Sequence, residues 1–207
     1  MTEDVLLLPG LNVSRETQQR LHEFSELVLK WTARINLISR ADHPQIWQRH
    51  VLDSAQLMNL APSRITTWAD LGSGGGFPAI VLGIILRETQ PDAKVVMVEN
   101  DQRKAAFLRQ CIRQFDIKGQ VVVARAEMTA PIGADVLTAR ALASLVDLLP
   151  LAKRHLTATG TAIFHKGRNA ASEISRARTS WCFDLGEERS ITDSEATILS
   201  LQGIRRA

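Results

Sequence analysis

The chain has 207 residues, 45% hydrophobic and 23% charged, which excludes a disordered, collagen-like or fibrous protein. Lys and Arg number 25 against 22 Asp and Glu, a formal charge of +3 that permits a nucleic-acid partner without requiring one. The longest apolar run, Phe77 to Leu86, is too short to span a bilayer, no basic region opens a signal peptide, and Cys111 and Cys182 lack disulfide-framework or zinc spacing, so a cytoplasmic protein with core thiols, no membrane contact and no metal is expected.

Ser14 reads as an N-cap, followed by Leu21, Phe24, Val28, Trp31 and Ile35 at three- and four-residue steps, which predicts an amphipathic helix over about 15–38. A second helical pattern runs over about 44–60 and stops before Pro62, so the first sixty residues read as all-α. From Ile65 the pattern changes. Strands are expected at about 65–71, 94–99, 121–126, 134–139, 160–166 and 196–203, with helices at about 77–87, 102–114, 144–156 and 169–179 as crossovers between parallel strands. This is a doubly wound, Rossmann-like α/β sheet. The runs around Trp181 to Leu185 and Ala196 to Ile204 have no helix between them and predict a terminal antiparallel hairpin. The division is a helical extension, 1–62, packed on a Rossmann-like domain, 63–207. No linker separates them, so one compact unit is expected, and a monomer, because no long exposed apolar segment is evident.

After the first strand of that domain comes Asp70-Leu71-Gly72-Ser73-Gly74-Gly75-Gly76-Phe77-Pro78. Glycines between a strand and a helix serve a tight turn and a close backbone approach to a ligand. No Gly-Lys-Ser/Thr follows, which excludes a P-loop, and Phe77 stands where a dinucleotide fingerprint needs its third glycine. Glu99 ends the next strand, 23 residues after Gly76, near the spacing at which a carboxylate meets ribose hydroxyls. Arg125-Ala126-Glu127 follows the third strand, where it can flank a base. A nucleoside ligand without pyrophosphate fits, with Phe77 as an apolar wall, and S-adenosylmethionine has that shape.

The fourth strand ends in Arg140, whose guanidinium suits a carboxylate or a phosphate. Lys166 and Arg125 lie at the same expected sheet edge and can neutralise RNA phosphates. Arg103 and Lys104 stand near a helix N-terminus, where positive charge is unfavourable unless an anion accompanies it. His50 and Asp53, three apart on the second helix and within reach of each other, read more readily as a polar helix–helix contact than as site residues. No histidine has metal-ligand spacing.

Trp31 with Asn36-Leu37-Ile38-Ser39, Arg49-His50-Val51-Leu52-Asp53-Ser54, Asp70 to Pro78, Arg103 to Leu108, Arg140 to Leu145, and Lys166-Gly167 together resemble the bacterial small-subunit rRNA methyltransferase G family, also called glucose-inhibited division protein B. The resemblance implies a class I S-adenosylmethionine-dependent methyltransferase fold. It also implies methylation of N7 of a guanine in the 530 loop of 16S rRNA, within the small ribosomal subunit or an assembly intermediate. It places cofactor contacts on Gly72, Phe77, Ala126, Glu127 and Arg140, and the general methyltransferase pattern adds Asp70, Gly74 and Glu99. A non-catalytic rRNA-binding assembly factor on the same fold is the alternative. Guanine N7 carries no proton at neutral pH, so Arg140 is expected to act by electrostatic positioning, without a general base.

Overall fold

The computed structural model describes residues 4–207. It opens on an antiparallel hairpin, β1 (Asp4–Leu8) and β2 (Leu11–Ser14), which corrects the all-α reading of the first sixty residues. Leu7, Leu11 and Val13 are buried, and strands this short show too few turns of the alternation to be read from sequence. Ser14 does cap α1 (Arg15–Thr32), its Oγ accepting from Thr17 N at 3.1 Å. The α1 stripe of Leu21, Phe24 and Val28 is fully buried.

The helix ends at Thr32, short of the expected 38, and the second expected helix is not one helix. The chain instead makes a 3-10 turn at Arg40–Gln45, a π-helical turn at Trp47–Leu52, a single α-turn α2 (Asp53–Ala55) and another 3-10 turn at Gln56–Leu60. Pro44 cannot donate in the first of these. His50, Asp53 and Gln56, all buried, are bonded to residues far along the chain, and those tertiary bonds override regular helix geometry.

The rest builds the seven-stranded sheet: β3 (Thr67–Leu71), α3 (Ala79–Thr89), β4 (Lys94–Val98), α4 (Gln102–Gln114), β5 (Gly119–Val122), β6 (Ala134–Ala139), α5 (Leu145–His155), β7 (Leu156–Lys166), α6 (Ala170–Arg178), β8 (Trp181–Arg189) and β9 (Thr197–Arg206). The order is β5-β4-β3-β6-β7-β9-β8. Neighbours are parallel except β9, which runs antiparallel to both β7 and β8. The doubly wound sheet and terminal hairpin are therefore as expected, though the hairpin strands reach Arg189 and Arg206. The expected third strand, 121–126, is displaced: β5 ends at Val122 and the chain then forms a 3-10 turn at Ala126–Met128.

Strand order reverses between β3 and β6. In open α/β sheets a crevice opens outside the carboxyl ends of the strands at such a point, because the crossovers on either side leave in opposite directions. The glycine loop leaves β3 there, and Arg140 leaves β6 beside it.

Candidate active site

The glycine loop is held by backbone and by one acid. Gly72 and Ser73 N–H donate to Val98 O at 2.8 and 3.2 Å, tying the loop to the end of β4. Glu99 Oε2 accepts from Gly74 N and its Oε1 from Asp101 N, both at 2.8 Å. Each oxygen keeps a second lone pair for a ligand hydroxyl. Gly72 and Gly74 have φ of +70° and +51°, conformations that cost an L-residue about 1–2 kcal/mol.

Beneath the loop, Asp70 is 1% exposed. Its Oδ1 accepts from Thr138 Oγ1 at 2.7 Å, while Oδ2 is buried without a partner among the described residues. Burial, with the charge of Glu99 adding to it, pushes this carboxyl up to about 6. An ionised Oδ2 in that position is a buried charge, which is costly unless it is paired.

Two cavities meet across the loop Arg140–Ala143. One, of about 210 Å³, is lined by Gly72, Val98, Ala126, Glu127, Leu142 and Ala143 among others. It unites three of the expected cofactor residues, Gly72, Ala126 and Glu127, whereas Asp70, Gly74 and Glu99 are not among its lining residues. Its apolar wall is Val98, Leu142 and Leu151. This corrects the part assigned to Phe77, whose buried ring packs instead between Phe24 and His50, with centroids at 5.0 and 4.8 Å. Phe77 is a strut joining the glycine loop to the N-terminal segment.

The other cavity, of about 250 Å³, is lined by Arg49, Asp53, Arg140, Ala141, His165 and Thr192 among others. Arg140 is fixed on three sides. Its Nη1 donates to His50 Nδ1 at 2.8 Å, its Nη2 donates to Arg49 O at 3.0 Å, and Nη2 lies 3.5 Å from Asp53 Oδ2. The His50 nitrogen must be unprotonated to accept, and burial together with the Arg140 charge lowers this imidazole to about 4.

Asp53 is the hub. Its Oδ1 accepts from Thr192 Oγ1 at 2.7 Å and Gln56 Nε2 at 2.9 Å, and His165 Nε2 lies 3.4 Å from Oδ2. Burial opposes its ionisation. His165, then Arg140 and Thr192, more than offset that and hold the carboxyl well below the usual range. Of the two readings of His50 and Asp53, the geometry favours site residues that shape Arg140. The residue after it, Ala141, has φ of +50°, and strained backbone of this kind persists only where its surroundings enforce it.

The basic residues divide. Lys166, expected to meet RNA phosphate, is corrected: its side chain is 6% exposed, with Nζ 2.9 Å from Glu173 Oε2 and donating to Ala143 O at 2.9 Å. It holds the Arg140–Ala143 loop in place. Arg103 and Lys104 find their anion within the chain, since Asp101 caps α4 by accepting from both backbone N–H groups at 2.8 and 3.2 Å. The Arg103 and Arg125 side chains remain exposed.

Sequence reasoning missed His165, Thr192, Ser190 and Gln56. Only His165, one residue before Lys166 at the end of a strand, carried a signal. Thr192 and Ser190 reach the site from the β8–β9 connection, 134 or more residues from their partners Gln56 and Asp53.

Strand order, the glycine loop at the switch point and acids at the ends of β3 and β4 define the fold of the S-adenosylmethionine-dependent methyltransferases. Solved structures superpose on it: a SAM-dependent methyltransferase from Aquifex aeolicus at TM-score 0.59 and 11% identity, covering 86% of this chain and 97% of that one, and M. jannaschii TYW2 in complex with AdoMet at TM-score 0.59 and 10% identity, covering 85% and 80%. The profile of the rRNA small subunit methyltransferase G family matches residues 17–201, and the chain belongs to that family. Among relatives named ribosomal RNA small subunit methyltransferase G, one from Cereibacter sphaeroides is 49% identical over 205 residues, covering 99% of each chain. One from Ruegeria sp. is 44% identical over 196 residues, covering 95% of each.

Proposed function

We propose that this protein methylates N7 of a guanine in the 530 loop of 16S rRNA, within the small ribosomal subunit or an assembly intermediate, using S-adenosylmethionine. The observation that carries the reading is the pair of cavities abutting across the Arg140–Ala143 loop at the switch point, one suited to a nucleoside and the other polar and edged with cations. The residues present fit the cofactor: the loop at Gly72 and Gly74 admits close backbone approach, the Glu99 carboxylate, bonded to Gly74 N, keeps lone pairs that ribose hydroxyls could use, and an ammonium would match the ionised Asp70 Oδ2. Ala126 and Glu127 bound the base end, and Arg140 is placed for a carboxylate or a phosphate.

When bound, S-adenosylmethionine supplies a methyl group on a positively charged sulfur. The chain's own work is orientation. Guanine N7 offers a lone pair with no proton to remove, so no side chain has to act as a base. The bases nearest Arg140 are engaged accordingly: His50 Nδ1 accepts from Arg140, and Asp53 Oδ1 is filled by Gln56 and Thr192. Arg140 therefore enters the reaction already fixed, with no reorganisation left to make when charge shifts beside it.

Methyl transfer from labelled S-adenosylmethionine to small subunits, and to stripped 16S rRNA, from cells lacking the modification tests this, with the modified base identified by mass spectrometry. N7-methylguanosine in the 530 loop is the expected product. Cofactor binding without transfer to either substrate would favour the non-catalytic rRNA-binding reading instead.

A further inference from the structure

The base end of the first cavity is built on an exposed turn. Arg125, Ala126 and Glu127 line the cavity, while Met128, next in the chain, is 79% exposed, so little apolar burial holds this segment. Its internal bonds are few: Met128 N and Thr129 Oγ1 donate to Arg125 O at 3.0 and 3.1 Å, and Thr129 N to Ala126 O at 3.2 Å. Among the described residues, its side-chain hydrogen bonds from outside the turn come from the C-terminal end of α5. His155 Nε2 lies 3.0 Å from Ala126 O, and Arg154 Nε and Nη2 lie 3.1 and 3.0 Å from Thr129 O.

A carbonyl only accepts, so the His155 proton sits on Nε2 and Nδ1 is bare. Nδ1 is buried without a partner among the described residues, so a second proton there would be stranded, and burial lowers the basicity of the ring. Basic residues in a last helical turn ordinarily complement the helix dipole. These two instead donate away from their own helix, one to the carbonyl at each end of the turn Ala126–Thr129.

We propose that Arg154 and His155 are positioning residues for the adenosine end of the cofactor: without touching it, they fix the turn that bounds its base. The proposal rests on the cofactor reading given above. It predicts a defect confined to affinity, because the turn lies on the far side of Gly72 from Arg140.

Titration calorimetry of the full chain with S-adenosylhomocysteine and with 5′-methylthioadenosine tests it, alongside KM for S-adenosylmethionine and kcat on small subunits. Arg154→Met removes two bonds from a surface side chain and leaves the core intact. It is expected to raise Kd about fivefold to tenfold for both ligands, the scale of one or two hydrogen bonds, with KM rising in parallel and kcat at saturating cofactor within about twofold. His155→Leu is expected to raise Kd further, and His155→Gln, which keeps a donor, to recover part of the loss. An unchanged Kd in Arg154→Met, or a fall in kcat at constant Kd, overturns the proposal. A loss seen with S-adenosylhomocysteine but not with 5′-methylthioadenosine also overturns it, since the turn would then act on the amino-acid end. Failure of the wild-type chain to bind either ligand overturns the cofactor reading, and the proposal with it.

Discussion

Asp70 carries a cost when it ionises. Its folded-state pKa of about 6 lies above the ordinary 3.8 because burial disfavours the carboxylate. The folded chain holds this proton more tightly than the unfolded one, so the stability it contributes is complete below pH 4 and is lost as pH rises through about 6, by roughly 3 kcal/mol. Above that pH the charge can be matched by an ammonium. Stabilisation of the melting transition by S-adenosylhomocysteine is therefore expected to grow between pH 5 and 7. Asp70→Asn should flatten that dependence, raise the unliganded Tm at pH 7 and weaken ligand binding. His50 titrates with the opposite sign, since its lowered pKa makes stability fall as pH drops from 6.5 toward 4. It is present in both proteins and cancels from the comparison. A pH-independent shift in both would remove Asp70 from the site. At Arg140, replacement by Ala is expected to lower kcat/KM about 100-fold or more with the fold retained. Arg140→Lys should do little better, because a single ammonium cannot span His50 Nδ1, Arg49 O and Asp53 at once. Turnover within threefold of wild type in Arg140→Ala would remove the residue from the reaction.

At the scale of elements, the two ends of the fold meet at the glycine loop. A Cβ on Gly75 would stand 2.9 Å from Leu37 O, whereas one on Gly74 would meet nothing closer than 3.7 Å. Gly74 is glycine for its backbone angle, and Gly75 for the segment that lies on it. Gly75→Ala is accordingly expected to cost about 1–3 kcal/mol by pushing Leu37 away, read as a lower urea midpoint at unchanged slope. An undiminished midpoint would mean that the segment yields freely. The same contact explains what could be read in advance. Apart from the N-terminal hairpin and the displaced third strand, the strands, crossovers, terminal hairpin and glycine loop follow from local period and turn chemistry and were legible. The stretch from Arg40 to Leu60 was not, because its shape is set by bonds to Arg140, Ser190 and Thr192, partners that no window of neighbouring residues contains. Likewise the cofactor half of the site lies at strand ends, where position implies role. The Asp53 half is assembled from three distant segments.

Across the whole molecule, a net charge of +3 is too small to bind RNA by itself, so affinity must come from where the cations stand. The side chains of Arg103, Arg125 and Arg168 are each about three-quarters exposed. Arg125 lines the cavity beside Gly72, and Arg168 follows Gly167 at the rim of the other. Lys166, only two residues from Arg168, turns inward to Glu173 and the Ala143 carbonyl. Each phosphate neutralised releases counterions, which adds about 0.7–0.9 to the slope of log affinity against log salt. Arg125→Gln and Arg168→Gln should therefore each reduce that slope for rRNA by up to about one such increment, the Arg168 effect being smaller because Glu195 already sits 2.9 Å away. Lys166→Gln should leave the slope at its wild-type value while lowering Tm and methyl transfer, since it loosens the loop that carries Arg140. Rather than counting basic residues, this comparison separates charge spent on RNA from charge spent on the site. A Lys166→Gln slope that fell as far as that of Arg125→Gln would mean the lysine leaves Glu173 to meet phosphate.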